Sequence, residues 1–411
     1  MLRALAFTAC IFTSSSVAAQ STEFGEWIEL FNGQNIDGWV AAKPGEDNPR
    51  QQQNVWKAED GTLTNGGPKK NDLCTVDSFQ DYELEIEYKI PPRGNSGVYL
   101  RGQIEVQIYD SADKSDQDLS EADAGALYGA GKALRSTQYP PGHWNKYRVL
   151  HIGHRITVWH NGILIQDNRY APDKTGGAMP RDGEREDHPQ VTVTANEGPI
   201  MLQGDHGHVW YRNVRVRPLF TAGSGWRSIW NGKTLDAFWT KEGHDINNLW
   251  AVKDHAFTNV GFGSNGADIW TKEEFGNFLA YYSYKSNPEA DGGNSGFYLR
   301  NQWEIQIHSQ NSTSNKHGDG ALYSLYPPLV AARHEPHQWN HVWVKMEGVR
   351  IWVWQNGQLI HNGRVCATRT DNHKTPTPGF SKGPFKLQGD HGEVAFSQLW
   401  IKPLPDVQSG D

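Results

Sequence analysis

Gly94-Asn95-Ser96-Gly97-Val98-Tyr99-Leu100-Arg101-Gly102-Gln103-Ile104-Glu105-Val106-Gln107-Ile108 returns later in the chain as Gly293 to Ile307, identical at 11 of 15 positions. Self-similarity extends outward on both sides. Trp27 to Trp39 matches Trp226 to Phe238, Gly125-Ala126-Leu127-Tyr128 matches Gly320 to Tyr323, and Trp144-Asn145 matches Trp339-Asn340. Leu202-Gln203-Gly204-Asp205-His206-Gly207 recurs unchanged as Leu387 to Gly392. The offset is 199 at Asn95, 195 at Trp144 and 185 at Gln203, so the first copy holds ten extra residues between Arg169 and Pro199. A period this long is far beyond a solenoid repeat and describes two whole domains. The boundaries read from sequence are 24–218 and 225–404, with residues 219–224 as linker. Thr221-Ala222-Gly223-Ser224-Gly225 is small and flexible in composition.

Each copy reads as strands. Tyr82 to Tyr88, Tyr147 to Trp159 and Val209 to Val216 alternate with period two. Asn161-Gly162 and Asn356-Gly357 follow apolar runs and mark hairpins, because both residues tolerate positive φ. No stretch repeats at helical spacing, and 43 Gly with 21 Pro supply many turns. The expected fold is all-β, two tandem antiparallel β-sandwiches of about ten strands each.

Composition excludes several classes. With 411 residues, 17 Trp, 15 Tyr and 15 Phe, the chain has ample apolar surface to order itself. Its net charge is −8 and no Lys/Arg run forms a phosphate-tracking stripe, which argues against nucleic acid. Met1 to Gln20 reads as a secretory signal peptide: Arg3, an apolar stretch from Ala4 to Phe12, then small residues, with cleavage after Ala19. The expectation is a periplasmic or secreted protein with no membrane span, since no segment approaches about 18 apolar residues. Cys10, Cys74 and Cys366 form neither a disulfide framework nor a cysteine zinc site. Cys74 and Cys366 can pair in an oxidising compartment or stay as separate buried thiols.

Read as one strand, Val98 to Tyr109 turns Leu100, Ile104, Val106 and Ile108 to the core and Tyr99, Arg101, Gln103, Glu105, Gln107 and Tyr109 outward. The second copy repeats the outer row as Tyr298, Arg300, Gln302, Glu304, Gln306 and His308. Such a row, about 13 Å long, suits a sugar, whose hydroxyls need donors and acceptors while its ring rests on aromatics. The plain alternative is a solvated face whose charges pair across strands. Gln203 to Gly207 and Gln388 to Gly392 are the second polar cluster. There Asp205-His206 and Asp390-His391 can work as an acid/base pair, bind a cation, or simply brace the turn. His151, His154 and His160 spread over different faces and read as strand surface, not as a metal set.

These motifs together resemble the 3-keto-disaccharide hydrolase family, once per copy over nearly the whole mature chain. The resemblance implies a concanavalin A-like lectin/glucanase (jelly-roll) sandwich, export, and action on oxidised glycosides. It places the concave-face residues at Arg101, Glu105, Gln107, Asp205 and His206, and at Arg300, Glu304, Gln306, Asp390 and His391. The implied chemistry uses the C3 ketone to acidify the C2 proton, so that the C1 substituent leaves by elimination and later hydration gives net hydrolysis. In that scheme Glu105 is the base, Arg101 the enolate partner and His206 the acid, and a divalent cation can replace Arg101. The second copy departs at Asp110, which becomes Ser309, and at Tyr211-Arg212-Asn213-Val214, which becomes Phe396-Ser397-Gln398-Leu399. A non-catalytic carbohydrate-binding protein and an ordinary glycosidase using Glu105 and Asp205 remain as competing readings.

Overall fold

The computed structural model describes residues 25–41, 56–66, 71–179, 181–182, 191–221, 223–261, 263–370 and 382–405. The segment read as a signal peptide, its expected cleavage site and Cys10 lie outside the described residues. The first sandwich joins a large and a small antiparallel sheet. The large sheet runs in the order β11 (Ile163–Tyr170), β10 (Arg155–His160), β9 (Asn145–Ile152), β6 (Asp81–Lys89), β13 (Trp210–Leu219), β4 (Thr62–Thr64) and β3 (Lys57–Glu59), with β1 (Ile28–Glu29) on β13. The small sheet runs β2 (Trp39–Ala41), β5 (Leu73–Thr75), β12 (Met201–Leu202), β7 (Asn95–Leu100) and β8 (Ile104–Tyr109).

The second sandwich repeats this order. Its large sheet is β16 (Trp250–Lys253), β17 (Ala256–Asn259), β26 (Val394–Pro403), β19 (Phe278–Ser286), β22 (Asn340–Glu347), β23 (Arg350–Gln355) and β24 (Gln358–Val365), with β14 (Arg227–Ser228) on β26. Its small sheet is β15 (Phe238–Thr240), β18 (Ile269–Thr271), β25 (Lys386–Leu387), β20 (Ser295–Leu299) and β21 (Trp303–Ile307). The protein is thus two tandem jelly-roll sandwiches, each with its own core.

Alternation explains the layers. On β6, Tyr82, Leu84, Ile86 and Tyr88 are fully buried against Val98, Leu100, Val106 and Ile108 of the small sheet. The opposite face of β6 carries Glu83, Glu85 and Glu87, which pair with Arg217 and Arg148, with Arg215 and Lys146, and with Arg212. Burial opposes ionisation of Glu83, yet the Arg148 and Arg217 guanidiniums hold its carboxyl down to about 2.

The structure corrects the single strand expected from Val98 to Tyr109. Arg101 (φ 52) and Gly102 (φ 63) are consecutive left-handed residues, and Gln103 N–H donates to Leu100 O at 2.9 Å. That is a tight turn with both central residues left-handed, and the strands close with Leu100 opposite Ile104. Arg300 (φ 51) and Asn301 (φ 55) make the same turn in the second copy. Instead of lying in one long row, Tyr99 faces Glu105 directly and Gly97 faces Gln107.

The sandwiches meet along their large sheets through Leu150, Ile152, Leu219, Phe220, Leu279, Tyr281, Trp343 and Trp354. His341 bridges Thr157 Oγ1 at 3.1 Å and Tyr281 Oη at 2.8 Å, and burial pushes its pKa down to about 3. The histidine expectation is corrected here: His151 and His160 are buried, and the His154 ring packs 4.5 Å from that of His255 across the interface. Arg212 and Asn213 bind Glu87 on the large sheet, so they orient nothing in the small-sheet face. Gln398, at the place of Asn213, instead donates to Ile152 O at 2.8 Å, across the interface. Cys74 and Cys366 are separate buried thiols, both pushed up to about 12 chiefly by burial.

The segment expected to be a linker, 219–224, begins with Leu219 and Phe220, and both are packed into the interface with the second sandwich. Phe220 stacks on Trp400 at 4.4 Å with 5° between the planes, and also packs on Trp226, Tyr281 and Trp343. Phe220→Ala is expected to cost about 3 kcal/mol and to split a single calorimetric transition into two. An unchanged single transition contradicts Phe220 as the coupling element.

Candidate active site

The outer face of the first small sheet floors a cavity of about 610 Å³. Tyr99, Glu105, Gln107, Tyr109, Gln203, Asp205 and His206, all expected from sequence, line it. Glu105 enters from β8 and its carboxylate lies flat across β7. A Cβ on Gly97 would stand 2.1 Å from Glu105 Oε1, so only glycine leaves that space. The Tyr99 hydroxyl lies 2.9 Å from Glu105 Oε2 and 2.7 Å from Gly176 O, and Gln203 Nε2 donates to it at 3.3 Å. Glu105 Oε1 takes no hydrogen bond from the described residues, and neither do the buried oxygens Asn95 Oδ1, Gln107 Oε1 and Gln203 Oε1. Burial pushes the Glu105 carboxyl up to about 7; the Tyr99 hydrogen bond opposes this, and the carboxylates of Asp72 and Asp205 add to it.

The Asp-His cluster forms the wall. His206 Nδ1 lies 2.5 Å from Asp205 Oδ1, with both side chains about half exposed. Beneath them Asn65 Nδ2 donates to Gly204 O and Gly207 O, and Gly204 N–H donates to Asp72 Oδ1 at 2.9 Å. Ser96 Oγ donates to Gln203 O at 2.8 Å, so the serine of Asn-Ser-Gly ties β7 to this loop. Tyr109 and Tyr128 offer exposed ring faces at the rim. Lys114 brings a cation there, paired with Asp123 at 2.7 Å.

Three expected residues lie elsewhere. Arg101 sits in the hairpin turn and points through the sandwich; its guanidinium donates to Asp81 Oδ1, Gln80 O and Gly153 O. It clamps the two sheets together and does not reach the cavity. Arg300 likewise is buried, donates to Gly348 O and stacks on Trp303. Gln103 donates to Met179 O and accepts from Arg181, away from Glu105.

The second copy keeps the frame. A Cβ on Gly296 would stand 2.2 Å from Glu304 Oε1, and His391 Nδ1 lies 2.6 Å from Asp390 Oδ1. Asn259 holds Gly389 O and Gly392 O as Asn65 does in the first copy. Two details differ. Gln306 Nε2 donates to Asn294 Oδ1 at 3.0 Å, whereas Asn95 Oδ1 is unpartnered in the first copy. Lys386 replaces Met201, with Nζ 3.5 Å from the centre of the Tyr298 ring and 3.2 Å from Asp268 Oδ2. His308 Nδ1 accepts from Gln310 N–H, and Gln388 N–H donates to Gly296 O.

A divalent cation finds limited support. Among the described residues no three His, Cys, Asp or Glu side chains gather as a chelating set. The open oxygens around Gly97 are one carboxylate and three amides, a set that suits sugar hydroxyls and, of metals, only a hard oxygen-seeking ion. Asn65, Asp72, Lys114, Asp123 and Tyr128 were not expected from sequence. Asn65 and Asp72 do carry a signal, because Asn259 and Asp268 hold the corresponding places in the second copy.

A relative called 3-keto-disaccharide hydrolase, from Bacteroides thetaiotaomicron, is 26% identical over 243 residues, covering 47% of this chain and 78% of the relative. The crystal structure of a candidate glycosyl hydrolase from Parabacteroides distasonis is 25% identical, covers 47% of this chain and 84% of that chain, and has a TM-score of 0.35. A β-glucanase from Bacillus licheniformis is 12% identical, covers 45% of this chain and 100% of that chain, and has a TM-score of 0.32. The description of the 3-keto-alpha-glucoside-1,2-lyase-like domain matches residues 26–217 and again 225–402, and this chain therefore belongs to that family, with two copies in tandem.

Proposed function

We propose that the chain is an exported enzyme that cleaves 3-keto glucosides or disaccharides, with turnover in the first sandwich. The observation that carries this reading is the Glu105 carboxylate, buried on the cavity floor with Oε1 unpartnered and its pKa raised to about 7 by burial. A base poised near neutrality is what proton abstraction beside a ketone requires. Glu105 takes the proton from C2, and that electron pair moves onto the C3 carbonyl oxygen as an enolate. The enolate then expels the C1 oxygen, giving a C1–C2 double bond, and His206 protonates the departing oxygen. Addition of water across that bond restores the 3-keto sugar and completes a net hydrolysis. Arg101 is too far into the sandwich to meet the enolate, so the amides of Gln107 and Gln203 and the Lys114 cation are the available donors. Asp205 orients His206. Export rests on the signal-peptide reading of Met1 to Gln20.

The first copy is favoured over the second because Asn95 Oδ1 stands open there, while Gln306 Nε2 occupies the corresponding Asn294 Oδ1 and Lys386 crowds Tyr298. Glu105→Gln is expected to lower turnover of a 3-keto glucoside by at least about a hundredfold with folding intact. Activity within a few-fold of wild type removes Glu105 from the reaction.

The pH profile supplies a separate check. Glu105 works deprotonated and its pKa is raised, so kcat/KM is expected to climb about tenfold per pH unit up to an inflection near 7, then level off. An inflection at the ordinary carboxylate range, near pH 4, contradicts the assignment.

Gly97→Ala places a methyl against the Glu105 carboxylate and is expected to cost about a hundredfold in kcat by misplacing the base. Gly296→Ala makes the same change at Glu304 and is expected to leave most of the turnover. Equal losses in the two variants place chemistry in both copies.

A further inference from the structure

The same cross-strand row runs through both small sheets, and it has diverged. In the first copy it is Val40, Cys74, Met201, Tyr99 and Glu105, each directly opposite the next. In the second it is Trp239, Trp270, Lys386, Tyr298 and Glu304, in the same register.

In the first copy the far end of the row is roofed. Met179, Val191 and Val193 pack on Cys74, Tyr99 and Met201 as a small apolar cluster. All three come from the stretch between Arg169 and Pro199 that is ten residues longer there. The cavity over Glu105 is therefore closed on that side, which limits it to a short ligand.

In the second copy the far end carries aromatic surface instead. Trp239 and Trp270 stack on each other at 4.6 Å with 15° between the planes, and Trp239 is 45% exposed. Trp270 is fixed by its indole N–H on Asn301 Oδ1 at 3.1 Å. Toward the other end Gln306, 3% exposed, keeps an unpartnered Oε1. Five neighbouring strands about 4.8 Å apart make a row of about 19 Å, several sugar rings long. An exposed indole stacked on a second, anchored indole, on the same face as the buried Gln306 amide, is a surface on which pyranose rings stack while their hydroxyls hydrogen-bond.

We infer that the small sheet of the second sandwich is a binding platform for an extended oligosaccharide, with Trp239 and Trp270 as its outer stacking subsite. The inference rests on the carbohydrate reading above. It assigns the second copy a ligand longer than the one the first copy turns over.

The test is titration calorimetry of the full chain with cellohexaose, laminarihexaose, maltohexaose and isomaltohexaose, each beside its own disaccharide. At least one hexaose is expected to bind about tenfold or more tightly than its disaccharide. Trp239→Ala is expected to weaken that hexaose by about tenfold or more, while Trp239→Phe, which keeps a stacking face, retains most of the affinity. No preference for any hexaose, or equal affinity in Trp239→Ala and wild type, overturns the platform. The sugars are unoxidised, so this result is independent of turnover at Glu105, and either reading can fail alone.

Discussion

A carboxylate can lie flat on a β-sheet only where the neighbouring strand offers no Cβ. In this protein that vacancy is Gly97, and the Glu105 side chain fills it. The consequences spread outward from that contact. Lying across β7, the carboxylate is shielded from water and pays a desolvation penalty that keeps a proton on it until near neutrality. One oxygen is steadied by Tyr99, and the other is left facing the cavity. The strand that supplies the vacancy is held by Ser96 on the Gln203 carbonyl, which in turn sets the loop bearing Asp205 and His206. A single missing methyl thus links the hairpin, the loop and the acidity of the central group.

Much of this was legible in the sequence because the chain repeats itself. Recurrence of Asn-Ser-Gly and Gln-Gly-Asp-His-Gly in two otherwise diverged halves pointed to the face that carries Glu105, Gln107, Gln203, Asp205 and His206. Period-two alternation gave the sandwich and its inward residues. Arg101 departs from the alternation for a specific reason. The period of two ends where the backbone turns left-handed, and a non-glycine residue at φ 52 announces itself weakly in a sequence. The guanidinium therefore belongs to a clamp with Asp81 and not to the outer face. Lys114, Asp123 and Tyr128 come from an irregular loop whose path no periodicity describes. Asn65 and Asp72 were recoverable from the repeat, but isolated polar identities carry little weight until their backbone partners are visible.

The two copies share a frame and differ in what they leave unsatisfied. Around Gly97 the amide and carboxylate oxygens await a partner; around Gly296 one of the same pairs has closed on itself. Replacing a buried methionine with Lys386 moves a charge into the floor, where Asp268 and the Tyr298 ring receive it. Such changes alter the recognition surface while the order of strands in the sandwich is kept.

The interface between the sandwiches has a different consequence. Phe220, Trp343, Trp354 and Tyr281 form one aromatic cluster, and Gln398 reaches over to the Ile152 carbonyl. Each copy has become the other's cover. A lineage that lost either half would bare a patch of indole and phenyl surface of the kind that drives precipitation. The duplication therefore behaves as a ratchet: once the faces had adapted to each other, reversal to a single copy required solubility to be re-evolved at the same time.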